Sequence, residues 1–307
     1  MLKIQHLRTY VAVYQERSFT SAAKQLNATQ SGLSMQVKEL EESLGVRLLT
    51  RTSAGVEPTV VGETFYKRAV SILRELSSAE EEIRSIGSKL SGRVVVGLMP
   101  TFSRAVLPSV LKEFTQEHPH VDLQIFEAFS GVLAKAVMTG EADFAIVPQG
   151  QGEVTDGLKF QHVATDYELF VTRTDTPRKD LDPINLKTAG PLKLILPRTG
   201  NARRARLETY LNEVGARVDS ILDLDSMMGT LTTISESDWV SILPGTLCIT
   251  DVGKKVRKLH PITIPRLTVD YFLIQSQERV LNPAAQIIAE HFIQRIKTVC
   301  AEVQTCL

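Results

Sequence analysis

Across 307 residues no apolar run approaches the roughly twenty needed to cross a bilayer. Met1 to Tyr10 carry no apolar core leading to a small-residue cleavage site, so a soluble, cytosolic protein with no membrane partner is expected. Cysteine is scarce. Cys248, Cys300 and Cys306 are an odd, scattered set without CxxC spacing, which argues against a disulfide framework or a zinc knuckle. No GxSxG, Walker-type loop, HExxH or Rossmann glycine fingerprint occurs and no acid pair stands out, so no catalytic residue, cofactor or metal is assigned. His118-Pro119-His120 has the look of a metal pair, but it lacks a third ligand nearby and its proline marks a turn. Net charge is also missing, with 35 basic against 35 acidic residues, so the chain as a whole is not the strongly basic protein that nucleic-acid binding often produces.

What is present points elsewhere. A hydrophobic content of 43% over this length supports ample core and two or three domains. The neutrality is an average: residues 1–52 hold Lys3, Arg8, Arg17, Lys24, Lys38, Arg47 and Arg51 against Glu16, Glu39, Glu41 and Glu42, an excess of three. Leu7, Tyr10, Val11 and Tyr14 recur at helical spacing in a first helix from Ile4 to Glu16. Ser18 can cap a second over Phe19 to Leu26, whose Ala22-Ala23 pair permits close packing. After the break at Asn27-Ala28, Thr29 can cap a third in which Leu33, Val37, Leu40 and Leu44 face inward until Gly45 ends it.

The opposite face of that third helix shows Gln30, Ser31, Ser34, Met35 and Lys38. A helix entering a DNA groove needs polar groups at its N-terminal end for base edges, a cation for phosphates and free first-turn amides. A solvated surface is the alternative, and the three-helix arrangement is what favours the groove. Val46 to Thr52 and Val56 to Thr59, flanking Ser53-Ala54-Gly55, read as a hairpin carrying Arg51, either to reach a minor groove or phosphate or as a free surface arginine.

From Leu7 to Tyr66 the chain resembles the DNA-binding region of LysR-type transcriptional regulators. The features are Arg17-Ser18-Phe19-Thr20, Ala22-Ala23, Leu26, Thr29-Gln30-Ser31, Leu33-Ser34, Leu40-Glu41, Leu44-Gly45, Leu48, Arg51, Pro58-Thr59 and Gly62. Two positions depart: Ser31 stands where the family commonly has proline, and Met35 where it often has a basic residue. The resemblance implies base contact by Gln30 and Ser31, backbone contact by Thr29, Ser34 and Lys38, and wing contact by Arg51.

Between Thr59 and Lys89, with Leu90 just beyond, Phe65, Ala69, Ile72, Leu76, Ala79, Ile83, Ile86 and Leu90 alternate in steps of four and three, a coiled-coil seam for a second copy of the chain. An amphipathic helix lying on its own domain is the other reading. Family members use this helix for antiparallel dimerisation and assemble into tetramers, so a dimer or homotetramer is expected.

After Ser91-Gly92, a strand (Arg93 to Leu98), helix (Ser103 to Gln116) and strand (Val121 to Glu127) return about a hundred residues later as Leu192 to Leu196, Ala202 to Val214 and Ile221 to Asp225. Phe144 to Val147 and Glu168 to Thr172 are further strands, Val269 to Gln275 a returning one, and Ala284 to Lys297 a closing helix. The expected fold is α/β with an all-α N-terminal part: a winged helix-turn-helix over 1–58, a linker helix over 59–90, and two α/β lobes over 91–307. Lobe I would take 91–162 and 267–307 and lobe II 163–266, which resembles the periplasmic-binding-protein-like regulatory domain of the family.

Ligands of open α/β units bind outside the carboxyl ends of the strands, where helix N-termini offer amides. The candidate effector residues are Thr101, Phe102, Ser103, Val147 and Pro148, with Gln149 beside them, on lobe I, and Thr199, Gly200, Asn201, Arg204, Ser226 and Met227 on lobe II. Hydroxyls and amides with an arginine one turn on suit a small anionic metabolite. Trp239, where relatives have small residues, could fill the cleft, stack on a ligand or simply pack. The expected function is a sequence-specific regulator that binds double-stranded DNA and responds to this effector, with RNA polymerase a further partner. The competing reading is a cytosolic solute-binding protein or small-molecule enzyme whose helical N-terminus serves oligomerisation. Redox sensing through Cys300 and Cys306 is a third, disfavoured because six residues on a helix place them on different faces.

Overall fold

The computed structural model describes residues 2–52, 55–85, 90–148 and 156–306. The head is built from α1 (Ile4–Glu16), α2 (Phe19–Gln25) and α3 (Gln30–Leu44), followed by the hairpin strands β1 (Leu49–Thr52) and β2 (Gly55–Pro58). Each start has its cap: Ser18 Oγ accepts from the Ser21 amide and Thr29 Oγ1 from the Gly32 amide. Gly45 ends α3 in the left-handed region at φ 69°, where a side chain would be strained. Leu7, Tyr10, Val13, Ala22, Leu33, Val37 and Leu40 form one buried cluster. Leu44, expected to join them, is exposed, because the helix outruns the body it packs on. In the hairpin Thr52 pairs with Gly55; the turn residues Ser53 and Ala54 lie outside the described residues. Gly55 is required where it stands: a Cβ there would meet the Arg17 carbonyl oxygen at 2.8 Å, beside the bond from the Val56 amide to that oxygen.

The linker helix α4 (Val60–Ser85) starts at Thr59, whose Oγ1 accepts from the Gly62 amide at 2.9 Å. Gly62 lets the helix root in the head: a Cβ would lie 2.0 Å from the Leu48 carbonyl oxygen, and the Gly62 carbonyl accepts from the Tyr10 hydroxyl at 2.7 Å. The apolar seam is therefore divided. Phe65 and Ala69 pack into the head's own core, and Tyr66 stacks on Tyr14 with ring centroids 3.8 Å apart. Ile72 and Ala79 remain exposed and Leu76 half-buried. Ile86 lies outside the described residues, and Leu90 packs against the next core.

That next unit runs β3 (Gly92–Leu98), α5 (Leu107–Glu117), β4 (Val121–Glu127), α6 (Ser130–Thr139), β5 (Phe144–Pro148), β6 (Leu158–Thr172), β7 (Leu192–Leu196), α7 (Ala202–Glu213), β8 (Val218–Asp223), α8 (Met227–Glu236), β9 (Ser241–Pro244), α9 (Gly245–Cys248), β10 (Lys258–Pro261), β11 (Thr268–Ser276) and α10 (Pro283–Cys306). Both expected strand-helix-strand repeats form, with β3–β4 and β7–β8 each parallel. The first helix begins four residues later than its sequence suggests: Pro100–Phe102 is a separate 3-10 turn, and Pro108 sits in the first turn of α5, where its missing N–H costs nothing.

Strand β6 is the structural spine. Its first two thirds pair with β11, and its end pairs with β9 and β10. One strand thus passes from a core around Val96, Phe144, Tyr271 and Phe292 to two smaller ones. Alternation does the rest: Phe170 enters the core with Leu194 and Leu207, while Leu169 and Val171 enter the one with Leu231 and Leu259 on the other face. Among the described residues no helix is long and apolar enough to cross a membrane.

Candidate functional site

On α3 the cap geometry determines what faces out. Thr29, Gln30, Ser31 and Lys38 are exposed, and the amides of Gln30 and Ser31 precede any intrahelical acceptor. Lys38 makes an i,i+4 pair with Glu42 at 3.6 Å, both well exposed, a bond that yields readily to a phosphate. Met35 is 60% exposed on the same helix. Arg51 is not a free wing residue. Its guanidinium crosses from β1 to donate to Ser34 Oγ at 2.7 Å and lies over the Phe19 ring at 5.2 Å, so it joins the α3 face. Two positioning groups were given no role by the sequence. Glu41 accepts from the Leu48 and Leu49 amides at 2.7 and 3.0 Å, tying the hairpin to α3, and Gln36 bonds Thr9 to set the seating of α3 on α1.

The second site lies where β3, β6, α8 and α9 converge. Thr101, buried in the 3-10 turn, donates from Oγ1 to the Met227 sulfur at 3.4 Å, joining two effector candidates 126 positions apart. Ser226 caps α8 by accepting from the Gly229 amide, and Asn201 caps α7 by accepting from the Arg203 amide. Thr199 and Gly200 are exposed, and Ser103 turns back to the Pro100 carbonyl. Other candidates take different roles. Phe102 is fully buried edge-on against Tyr271, Val147 is a core residue of β5, and Pro148 stands opposite Tyr271 in the ladder. Gln149 lies outside the described residues. Arg204 has no charge to offer an anion, since Glu208, Asp223 and the Pro197 carbonyl occupy it. Trp239 faces away from the junction: Pro244 pairs with Glu168 and Ser241 with Val171, so residues before 241 run to the far end of the sheet. There Trp239 lines a depression of about 230 Å³ with Arg173, Thr176 and Ser237.

Between the cores sits a buried polar cluster the pattern reading missed. Asp166 accepts at Oδ2 from the Thr246 amide (2.9 Å), the Thr246 hydroxyl (2.8 Å) and the Tyr271 hydroxyl (3.1 Å). Burial pushes its carboxyl up to about 6 despite those donors. Two residues on, Glu168 is held by Arg203 at 2.6 and 2.7 Å and by Arg206. Burial opposes its ionisation, yet the two guanidiniums keep it below the usual carboxylate range. Asp251 likewise faces both Arg104 and Arg257. Two acids at alternate positions of an apolar strand were the available sequence signal. Cys248 and Cys300 are buried, and burial drives both thiols far above their ordinary value, which makes them poor nucleophiles.

Comparison with known proteins gives concordant results. Residues 4–63 match the family described as bacterial regulatory helix-turn-helix protein, lysR family, and residues 87–297 match the LysR substrate binding domain. The nitrogen assimilation regulatory protein nac of Klebsiella aerogenes is 27% identical over 292 residues, covering 94% of this chain and 93% of that protein. The HTH-type transcriptional regulator TdcA of Escherichia coli (strain K12) is 25% identical over 291 residues, covering 94% and 91%. Among solved structures, a full-length OxyR variant from Pseudomonas aeruginosa superposes with a TM-score of 0.76 at 21% identity, covering 98% of this chain and 97% of that one. Full-length CbnR complexed with its target DNA gives 0.66 at 18% identity, covering 96% and 100%. At such identities the structural likeness concerns the fold.

Proposed function

The chain belongs to the LysR family of bacterial regulatory helix-turn-helix proteins, and we propose that it is a cytoplasmic, sequence-specific regulator that reads double-stranded DNA as a homo-oligomer under control of a small anionic effector. The observation that carries the DNA reading is the single exposed face of Thr29, Gln30, Ser31 and Lys38, extended by the Ser34–Arg51 pair. Gln30 suits a base edge, since a side-chain amide can donate and accept together, and Lys38 and Arg51 suit phosphates.

Ile72, Leu76 and Ala79 on α4 support pairing with a second copy, which would present two heads to one DNA face. The division into a head (1–58), a linker (59–90) and two lobes (91–162 with 267–307, and 163–266) is supported by β6 leaving one core for another and β11 returning. The effector enters between the lobes, where Thr101 meets Met227. It acts by binding one lobe arrangement more tightly than another, since equal affinity shifts nothing. RNA polymerase is the partner that would read the altered DNA geometry.

Footprinting of the promoter beside its own gene tests the reading. Gln30→Ala is expected to weaken specific binding by about 1–3 kcal/mol. Lys38→Ala should weaken binding to all sequences and lower the salt slope by about one. Binding that is absent, or insensitive to salt and to both changes, overturns it.

A further inference from the structure

The turn after β3 reaches across the cleft twice. Thr101 bonds Met227 in α8, and Arg104, one turn on, donates to the Leu247 carbonyl at 2.9 Å and to both oxygens of Asp251. Phe102 between them is anchored in its own lobe against Tyr271, so the turn has a fixed root and two arms extended to the other side. Leu247 and Cys248, just before Asp251, pack in the core of Leu169, Leu231 and Leu243.

The charges on this contact are unequal. Asp251, 1% exposed, is already satisfied by Arg257, whose Nε lies 2.8 Å and Nη2 2.7 Å from Oδ2. Arg257 is fixed independently, donating to the Leu231 carbonyl at 2.9 Å and to Ser235 Oγ at 2.7 Å. Arg104 is thus a second guanidinium on one carboxylate, and a buried positive charge left over is costly until an anion joins it. Glu168 is shared by Arg203 and Arg206 in the same ratio, but both come from α7, so that sharing leaves the cleft unaltered. Arg198 and Arg204 each have their own carboxylates.

We propose that Arg104 is the effector's anion-binding group and the cleft's latch: an oxyanion on the effector takes Arg104 from Asp251, while Arg257 keeps Asp251 paired. This rests on the reading of the cleft as the effector site. It replaces Arg204 with a residue whose pairing changes between the lobes, so recognition and lobe movement become one event.

Hydrogen exchange on the full chain tests it, with sulfate as the oxyanion probe and chloride at matched ionic strength as control. Arg104→Gln leaves Asp251 with Arg257, so the fold stands, and exchange across residues 226–236 and 245–252 should quicken about tenfold. Sulfate should quicken exchange over 245–252 in the unmodified protein and do nothing in Arg104→Gln. Asp251→Asn, which frees Arg104, should respond at lower sulfate concentration. Unchanged exchange in Arg104→Gln, a sulfate response that survives that change, or no response in the unmodified protein each overturns the proposal. The cleft reading fails separately, if Thr101→Val and Met227→Ala leave the regulated promoter's response in cells unchanged while the sulfate response of Arg104 stands.

Discussion

The head and the two-lobed unit build their sites in opposite ways. In the head, the proposed groove face lies on α3 and is joined by Arg51 of β1, whose bond to Ser34 spans 17 positions. In the lobes, Thr101 meets Met227 across 126 positions and Arg104 meets Asp251 across 147. The polar groups of the proposed groove face, Thr29, Gln30, Ser31 and Lys38, are exposed to solvent. The lobes' charges are buried and must be paired within the fold. A site on the first plan can be altered with little harm to stability, whereas one on the second cannot.

The contrast can be broken most forcefully at Glu168. Glu168→Ala leaves Arg203 and Arg206 without their carboxylate, and urea unfolding should show a loss of about 3–5 kcal/mol. A loss under about 1 kcal/mol would mean that water reaches the cluster and the two plans differ less than described. Phe102→Ala should cost about 3–4 kcal/mol as a core truncation; a change in effector response at unaltered stability would instead restore Phe102 to the binding surface.

Asp166 sharpens the comparison through pH. Its carboxyl, raised to about 6, binds a proton more readily folded than unfolded, so its contribution to stability is complete below about pH 4 and is lost as pH rises to 6 and beyond. The swing is up to about 3 kcal/mol. Glu168 and Asp251, held low, act with the opposite sign and only in more acid solution. Denaturation curves between pH 4 and 7, with Asp166→Asn subtracted, isolate the first effect; a flat difference rules it out. The smallest change belongs to the head: Gln30→Ala should alter unfolding free energy by under about 0.5 kcal/mol while weakening specific footprints by about 1–3 kcal/mol.

Legibility followed the same division. The spacing of Leu7, Tyr10 and Tyr14 marks α1 at Ile4–Glu16 because a helix repeats its own faces every few residues. Ser18, Thr29 and Gly45 act within one turn of where they stand, so their roles were readable too. Arg204 was given to the effector although Glu208, four residues on along α7, was a legible partner; its second partner, Asp223, depends on how α7 lies beside β8. Phe102 was misjudged because only the return of β11 brings Tyr271 beneath it. For Trp239 the packing alternative is the one the structure takes, against the core of Leu231 and Leu243, because strand direction, which no local pattern records, decides which end of a sheet a residue occupies.

By itself, the order of amino acids determined the head's helices, their caps, the hairpin, the spacing of the apolar seam and the family, since each is set by neighbours along the chain. The tertiary structure alone decided that Arg51 serves α3, that part of the seam belongs to the head, and which carboxylate holds each arginine. Those outcomes depend on how separate elements are packed together, from 17 positions apart for Arg51 and Ser34 to 147 for Arg104 and Asp251, and buried charge is stable only where packing brings its partner within reach.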